Sequence, residues 1–294
     1  MPAAAQTLAS LALVATLAAL AACEPGVRTA RFIEPASGRS YNVFSPRREP
    51  ARPSAALFAL HAYATDPGAL VRAFALERRA VAKRGWILVV PEGTRDADGH
   101  LSWNASAACC GTGPHRPDDV GYLHRVLEEV RRQAAVDPER VYAIGESNGA
   151  FMAHRWACAV EGDLRAIVSI SGAAPGPDDP PCAPAVSVSA LQIHGSEDRT
   201  ILYEGGWSGR GRHPSARESA GTWRRLDGCE PAPRTARRWR LLMGTSRQES
   251  WSCPRAQVAL WTVEGGAHHI LSLRFYADEI LDFLAEAPVS PPAR

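Results

Sequence analysis

Lysine is almost missing from this chain. Lys83 is the only one, and arginine carries the remaining basic charge. Thirty-three basic residues against 31 acidic ones leave a net charge of +2, too small a balance for an electrostatic nucleic-acid footprint. Beyond the first two dozen residues no second long apolar run occurs, which excludes a polytopic membrane protein. No internal repeat is present. The cysteines do not follow zinc-site spacing, and adjacent Cys109 and Cys110 cannot easily both face one ion, so no metal is expected. No Lys or Arg precedes Arg28, so the apolar N-terminus lacks the usual positive flank of an export signal.

The rest of the composition is ordinary for a globular protein: 46% hydrophobic and 22% charged over 294 residues, room for one large domain. Ala3 to Ala22 is rich in alanine and leucine and ends in Leu20-Ala21-Ala22-Cys23. Small residues before a candidate cleavage point read as a signal peptide over residues 1–22. The ending resembles a bacterial lipoprotein signal, which makes Cys23 the expected lipidated residue; a membrane-spanning anchor is the alternative. The expected organisation is a lipid anchor and tether over 23–29, one domain over 30–287 and a disordered tail over 288–294. Six further cysteines in an exported chain predict up to three disulfides. Cys229 and Cys253 flank an apparent hairpin and form the expected pair. Cys109, Cys110, Cys158 and Cys182 supply the rest, with their pairing open.

Along the chain, short apolar runs alternate with helical patterns. Strands are expected at 39–44, 55–60, 86–90, 141–145, 164–171, 190–194 and 257–263, with a hairpin over 237–242 and 248–253. Helices are expected at 67–83, 118–135, 148–159, 215–226 and 270–284, and Asp137-Pro-Glu-Arg140 reads as a turn. This alternation predicts an α/β fold, a mostly parallel sheet with helices on both faces.

The most informative stretch is Val141-Tyr-Ala-Ile-Gly-Glu-Ser147-Asn-Gly-Ala-Phe. A buried-type strand enters a G-x-S-x-G centre and a helix-like run leaves it. That is the setting of a nucleophile elbow, in which a tight turn lifts a serine hydroxyl clear of the sheet. An incidental serine in a strand-to-helix turn is the alternative. A serine needs a base and a group that orients the base. In such folds they follow in the order acid, then histidine. Asp198, just past the strand ending Ile193-His194, is the expected acid, with Glu197 the alternative. His268, after Val263-Glu-Gly-Gly-Ala, is the expected base, with His269 the alternative. His194 is expected to support the turn before Asp198. His115, His124, His154 and His213 are read as surface or supporting residues. An oxyanion needs preorganised donors: the N–H of Asn148, and one from Ala62 or Tyr63 after the early strand. Trp103 and Tyr63 are candidate pocket walls with flat rings, with a place in the core the equal alternative, and Trp207 lies in a glycine-rich loop, 205–211, expected to border the cleft.

Taken in order, Leu60-His-Ala-Tyr, Ser102-Trp-Asn-Ala with Cys109-Cys-Gly, Asp118-Asp-Val-Gly-Tyr-Leu, Asp137-Pro-Glu-Arg-Val-Tyr, Gly-Glu-Ser-Asn-Gly, His194-Gly-Ser-Glu-Asp with Tyr203-Glu-Gly-Gly, and Gly265-Gly-Ala-His resemble the polyhydroxybutyrate depolymerase and feruloyl esterase family, over about residues 38 to 285. The resemblance implies an α/β-hydrolase fold. It also implies ester hydrolysis through an acyl-enzyme on Ser147, with His268 and Asp198, and no metal or organic cofactor. Small or oligomeric hydroxybutyrate, feruloyl or acetyl esters are the implied substrates. The implied setting is exported, with the membrane reached through lipid on Cys23. A surface lipoprotein that lost activity and a serine peptidase of the same fold are the alternatives. Two departures bear on the site. The family carries His-Gly where this chain has His61-Ala62, so a positive φ there would strain the alanine. After the histidine, Ile270 stands near the family's tryptophan and proline, which predicts a different substrate-facing wall.

Overall fold

The computed structural model describes residues 26–288 apart from 111–115, 160, 209 and 242–243. The expected signal peptide, Cys23, His115 and nearly all of the expected tail lie outside the described residues. Ten strands make one sheet. In chain order they are β1 Val27–Ile33, β2 Ser40–Pro46, β3 Ser54–Leu60, β4 Ile87–Pro91, β5 Val136–Glu146, β6 Ala166–Ile170, β7 Ser189–Gly195, β8 Thr235–Leu241, β9 Gly244–Ser252 and β10 Gln257–Glu264. Their order across the sheet is β1-β2-β4-β3-β5-β6-β7-β10-β9-β8. From β4 to β10 every pairing is parallel; β1 and β2 at one edge and β8 and β9 at the other run antiparallel.

The central strands are apolar along their whole length because both faces are covered. In β3, Ala56, Phe58 and Leu60 face one core, and Ala55, Leu57 and Ala59 the other. The first core holds Leu123 and Val126 of helix α2 (Asp119–Gln133), Phe151 and Trp156 of α3 (Asn148–Ala157) and Trp223 of α4 (Ala216–Leu226). Phe58 meets Trp156 edge-on with ring centroids 4.9 Å apart. The second core holds Leu70, Val71 and Phe74 of a short helix, α1 (Ala69–Phe74), and Ile280, Leu281 and Leu284 of a C-terminal helix, α5 (Ala277–Ala285). Each such fully buried side chain contributes roughly 1.5–3 kcal/mol. The start of α4 is fixed by a capping box, Ser215 with Glu218. No helix among the described residues is long and apolar enough to cross a membrane.

Four expectations change. Residues 27–29, expected in the tether, already belong to β1, which pairs with β2 from Val27 to Ile33. The expected helix over 67–83 is interrupted at Ala75, whose left-handed φ of 49° ends the first helix. A wider π-type turn over Glu77–Ala82 follows, closed by the Lys83 N–H on the Arg78 carbonyl. Asp137 does cap the Glu139 N–H as a turn residue should, at 3.0 Å, yet the segment is extended and continuous with β5. The last expected helix begins as a 3₁₀ segment over 271–276.

Candidate active site

The carboxyl ends of β3, β5, β6, β7 and β10 lie side by side in the sheet, where open α/β sheets place their ligands. Ser147 follows β5. Its backbone is at φ 52° and ψ −118°, an unusual region for a residue with a Cβ. The turn is held there by its N–H on the Ile170 carbonyl of β6, at 2.8 Å, and by close packing of two glycines. A Cβ on Gly145 would overlap the Gly149 carbonyl, and one on Gly149 would overlap the Leu60 carbonyl of β3. Strand and helix therefore approach as only glycine permits.

Asp198 lies in the turn after β7 and His268 in the loop after β10. The structure brings them to Ser147 in one hydrogen-bonded row: His268 Nε2 to Ser147 Oγ at 2.9 Å, and His268 Nδ1 to Asp198 Oδ2 at 2.7 Å. A carboxylate only accepts, so Nδ1 carries the proton and Nε2 accepts from the serine hydroxyl. The loop is tied down by Ser171 Oγ, which donates to the His268 carbonyl at 2.7 Å. Asp198 is buried. Burial alone would raise its carboxyl; hydrogen bonds from His194, His268 and the Ile201 N–H outweigh it and hold the carboxyl well below its ordinary value. The two alternatives stand apart from the row. Glu197 is exposed, and His269 points outward to Glu146 Oε1 at 2.9 Å.

The backbone after β3 is set by His61. Gly93 N–H donates to His61 Nε2 at 2.9 Å, which leaves Nδ1–H to donate to the Ala62 carbonyl at 2.9 Å. Burial lowers the pKa of His61, in keeping with this neutral form. Thr65 Oγ1 also donates to that carbonyl, at 2.9 Å. A planar trans peptide then turns the Tyr63 N–H the opposite way. Ala62 is not among the residues with positive φ, so alanine is unstrained there; the left-handed residue in this loop is Ala64, at φ 58°. Asn148 follows the serine, and its side chain pins the neighbouring loop by accepting from the Trp103 N–H at 2.7 Å and donating to its carbonyl at 3.0 Å.

Two of the expected pocket walls, Trp103 and Ile270, need correction. Trp103 is 1% exposed: its indole N–H donates to the His61 carbonyl at 3.0 Å and its ring packs between His61 and Tyr122, so it supports the loop from behind. Ile270, 9% exposed, packs into the second core beside the C-terminal helix. Tyr63 is half-buried, with its hydroxyl on Asp96 at 2.8 Å. Trp207 is 62% exposed, on a two-residue ribbon paired with Arg212 and His213. Its loop touches the 106–110 loop through Ser208 Oγ, which donates to the Ala108 carbonyl. The disulfides are Cys229–Cys253, as expected, with Cys158–Cys182 and the adjacent Cys109–Cys110, whose pairings had been open. Cys109 Sγ lies 3.8 Å from Asn148 Nδ2. Among the described residues no group of His, Cys, Asp and Glu could hold a metal ion.

The chain is similar over 204 residues, at 26% identity, to feruloyl esterase B of Piromyces equi, covering 65% of this chain and 35% of that one. Feruloyl esterase C of Emericella nidulans is 26% identical over 206 residues, 66% of this chain and 64% of its own. The fold matches a solved acetyl xylan esterase from Aspergillus awamori with a TM-score of 0.62 at 14% identity, covering 88% and 99% of the two chains. The chain has the α/β-hydrolase fold and is similar in sequence to these feruloyl esterases. No protein-family model matches it. It spans from about a third to just under two thirds of the length of these two relatives.

His154 and His213, read as surface or supporting residues, are both buried, which leaves the supporting role. A further buried polar side chain has no counterpart among the expected site residues. Gln192 lies behind Asp198 in the middle of β7. Its signal was a polar side chain inside the apolar run Ala190-Leu-Gln-Ile, since a buried amide must find partners.

Proposed function

We propose that this chain is a serine carboxylic ester hydrolase. The observation that carries the reading is the row Ser147–His268–Asp198 at 2.9 and 2.7 Å, with the serine on a strained turn at the carboxyl edge of the sheet. In the proposed reaction Ser147 Oγ bonds to the ester carbonyl carbon while His268 Nε2 takes the hydroxyl proton. Asp198 stabilises the imidazolium so formed. The carbonyl oxygen becomes an oxyanion, received by the N–H groups of Asn148 and Tyr63. Collapse breaks the ester C–O bond, and His268 returns its proton to the departing alcohol. Water, giving its proton to His268, then attacks the acyl-serine, releasing the carboxylic acid and restoring Ser147.

Feruloyl and acetyl esters are the substrates we propose, from the names of the two sequence relatives and of the structural neighbour. Hydroxybutyrate esters draw on the motif resemblance alone. The unstrained backbone at Ala62 removes the main argument for an inactive scaffold. We also propose an exported domain, a reading supported by the three disulfides, which persist in oxidising compartments. The proposed membrane link is lipid on Cys23, checked by mass spectrometry of the N-terminal peptide from a membrane fraction. The test of the enzyme is Ser147→Ala. Hydrolysis of a p-nitrophenyl ester should fall on the order of 10⁶-fold with the fold intact by circular dichroism. Equal rates for variant and parent would falsify the assignment. Parallel assays on methyl ferulate, acetylated xylan and hydroxybutyrate oligomers then rank the substrates.

A further inference from the structure

Behind Asp198 runs a chain of buried polar side chains that the proposed reaction does not use. Trp223 Nε1–H of α4 donates to His154 Nδ1 of α3 at 2.9 Å. His154 Nε2 meets Gln192 Oε1 of β7 at 3.0 Å. Gln192 Nε2 reaches both the Gly172 carbonyl, at 2.8 Å, and His194 Nδ1, at 3.2 Å. His194 Nε2 lies 2.8 Å from the Ile201 carbonyl and 3.2 Å from Asp198 Oδ2. All five side chains are buried.

The direction of every bond in this chain is forced. An indole only donates, so His154 Nδ1 is an acceptor and the proton sits on Nε2. Burial lowers the pKa of His154 to about 4, which suits that neutral ring. The atom facing His154 Nε2–H must be the amide oxygen of Gln192, which turns the amide NH₂ toward Gly172 and His194. The Gly172 carbonyl imposes the same orientation independently, because it only accepts. His194 Nδ1 is then an acceptor and its proton sits on Nε2, aimed at two groups that only accept, Ile201 O and the Asp198 carboxylate. Reversing any one bond would set two donors or two acceptors face to face.

We infer that Trp223, His154 and Gln192 form a one-way hydrogen-bond relay that fixes His194 in its Nε2–H form, making His194 a positioning residue with a permanent donor on Asp198. The relay leaves the carboxylate with four donors: Thr200 and Ile201 N–H on Oδ1, at 2.8 and 2.9 Å, and His194 and His268 on Oδ2. Of the two histidines only His268 is free to carry the proton taken from the serine, because a second proton on His194 would point at the Gln192 amide hydrogens. The inference rests on Asp198 being the acid of the proposed enzyme.

The test is nitrogen-15 NMR of histidine-labelled protein, with His194 assigned through His194→Gln, at about pH 8, above the range in which an ordinary imidazole is charged. The groups facing His194 are Asp198, His213 and Tyr203, and His268 shares Asp198 Oδ2 with it. The expected result is the Nε2–H form of His194. An Nδ1–H form overturns the relay. Gln192→Glu supplies the second arm. Its carboxylate only accepts, so it calls a proton onto His194 Nδ1. The Nδ1–H signal should appear, and kcat should fall about tenfold, one hydrogen bond's worth, with KM within about twofold. An unchanged His194 signal in that variant also overturns the relay. The spectra do not depend on turnover. A parent protein that hydrolyses no ester but shows the fixed Nε2–H form defeats the enzyme reading and leaves the relay standing.

Discussion

Asp198 and Asp227 are both buried carboxyls, and the fold treats them in opposite ways. Asp198 sits in a turn that offers it two backbone N–H groups and two histidines, and its carboxyl is held well below the ordinary range in spite of burial. Asp227 closes the C-terminal end of α4, where helix carbonyls repel an anion. Burial pushes it up to about 6, against weaker opposing contacts from Ser187, the Val188 N–H and Arg255. Its Oδ2 has no hydrogen-bond partner among the described residues. Burial alone therefore does not decide the charge of a carboxyl; the number of donors aimed at it does.

That contrast can be broken at several points. The largest effect is expected from Asp198→Asn. An amide there presents a donor to His268, favours the wrong tautomer and should lower kcat on the order of 10⁴-fold. Asp227→Asn should leave kcat unchanged, and comparable losses in both variants would mean that Asp198 acts only through the fold. Next comes the Cys229–Cys253 bridge, which begins two residues beyond Asp227 and closes a loop of sequence separation 24. Replacing both cysteines by serine should cost about 2–4 kcal/mol in a denaturant titration while the His268–Ser147 end keeps its rate per folded molecule. Smallest is the stability change in Asp227→Asn, a gain of about 1–2 kcal/mol at neutral pH.

The sign of that last effect depends on pH. A raised folded pKa means that the folded state binds the proton more tightly. The stabilisation from Asp227 is thus complete below the unfolded value of about 4 and is lost as pH rises through about 6. Melting temperatures of parent and variant should coincide at the acid end and separate across that window. Asp198 runs the other way: its stabilisation is present above the unfolded value and fades as pH falls toward its depressed folded value. A parent protein whose melting temperature does not fall across that window would remove the assignment for Asp227.

Much of the site was legible because its signals are local. Gly145 and Gly149 flank Ser147, and β7 and β10 each end in turn residues before Asp198 and His268. The central strands were legible because they are apolar throughout. Other features depend on neighbours distant in sequence. β1 buries only Val27 fully and carries exposed arginines, so its pattern reads as loop until β2 is beside it. Trp103 looked like a pocket wall because tryptophan suits both roles. Only the contacts to His61, 42 residues away, and Tyr122 decide between them. His154 and Gln192 are 38 residues apart, and their pairing exists only once α3 lies on β7.

The missing clearance around the elbow glycines also bears on how such an enzyme could diversify. A step at position 145 or 149 meets backbone on another element, so a lineage exploring new substrates is closed to change there. The ribbon carrying Trp207 is different. It has two glycines at positive φ, an exposed ring and a light attachment to the 106–110 loop. Inherited variation should therefore accumulate on that ribbon, while the nucleophile turn stays fixed.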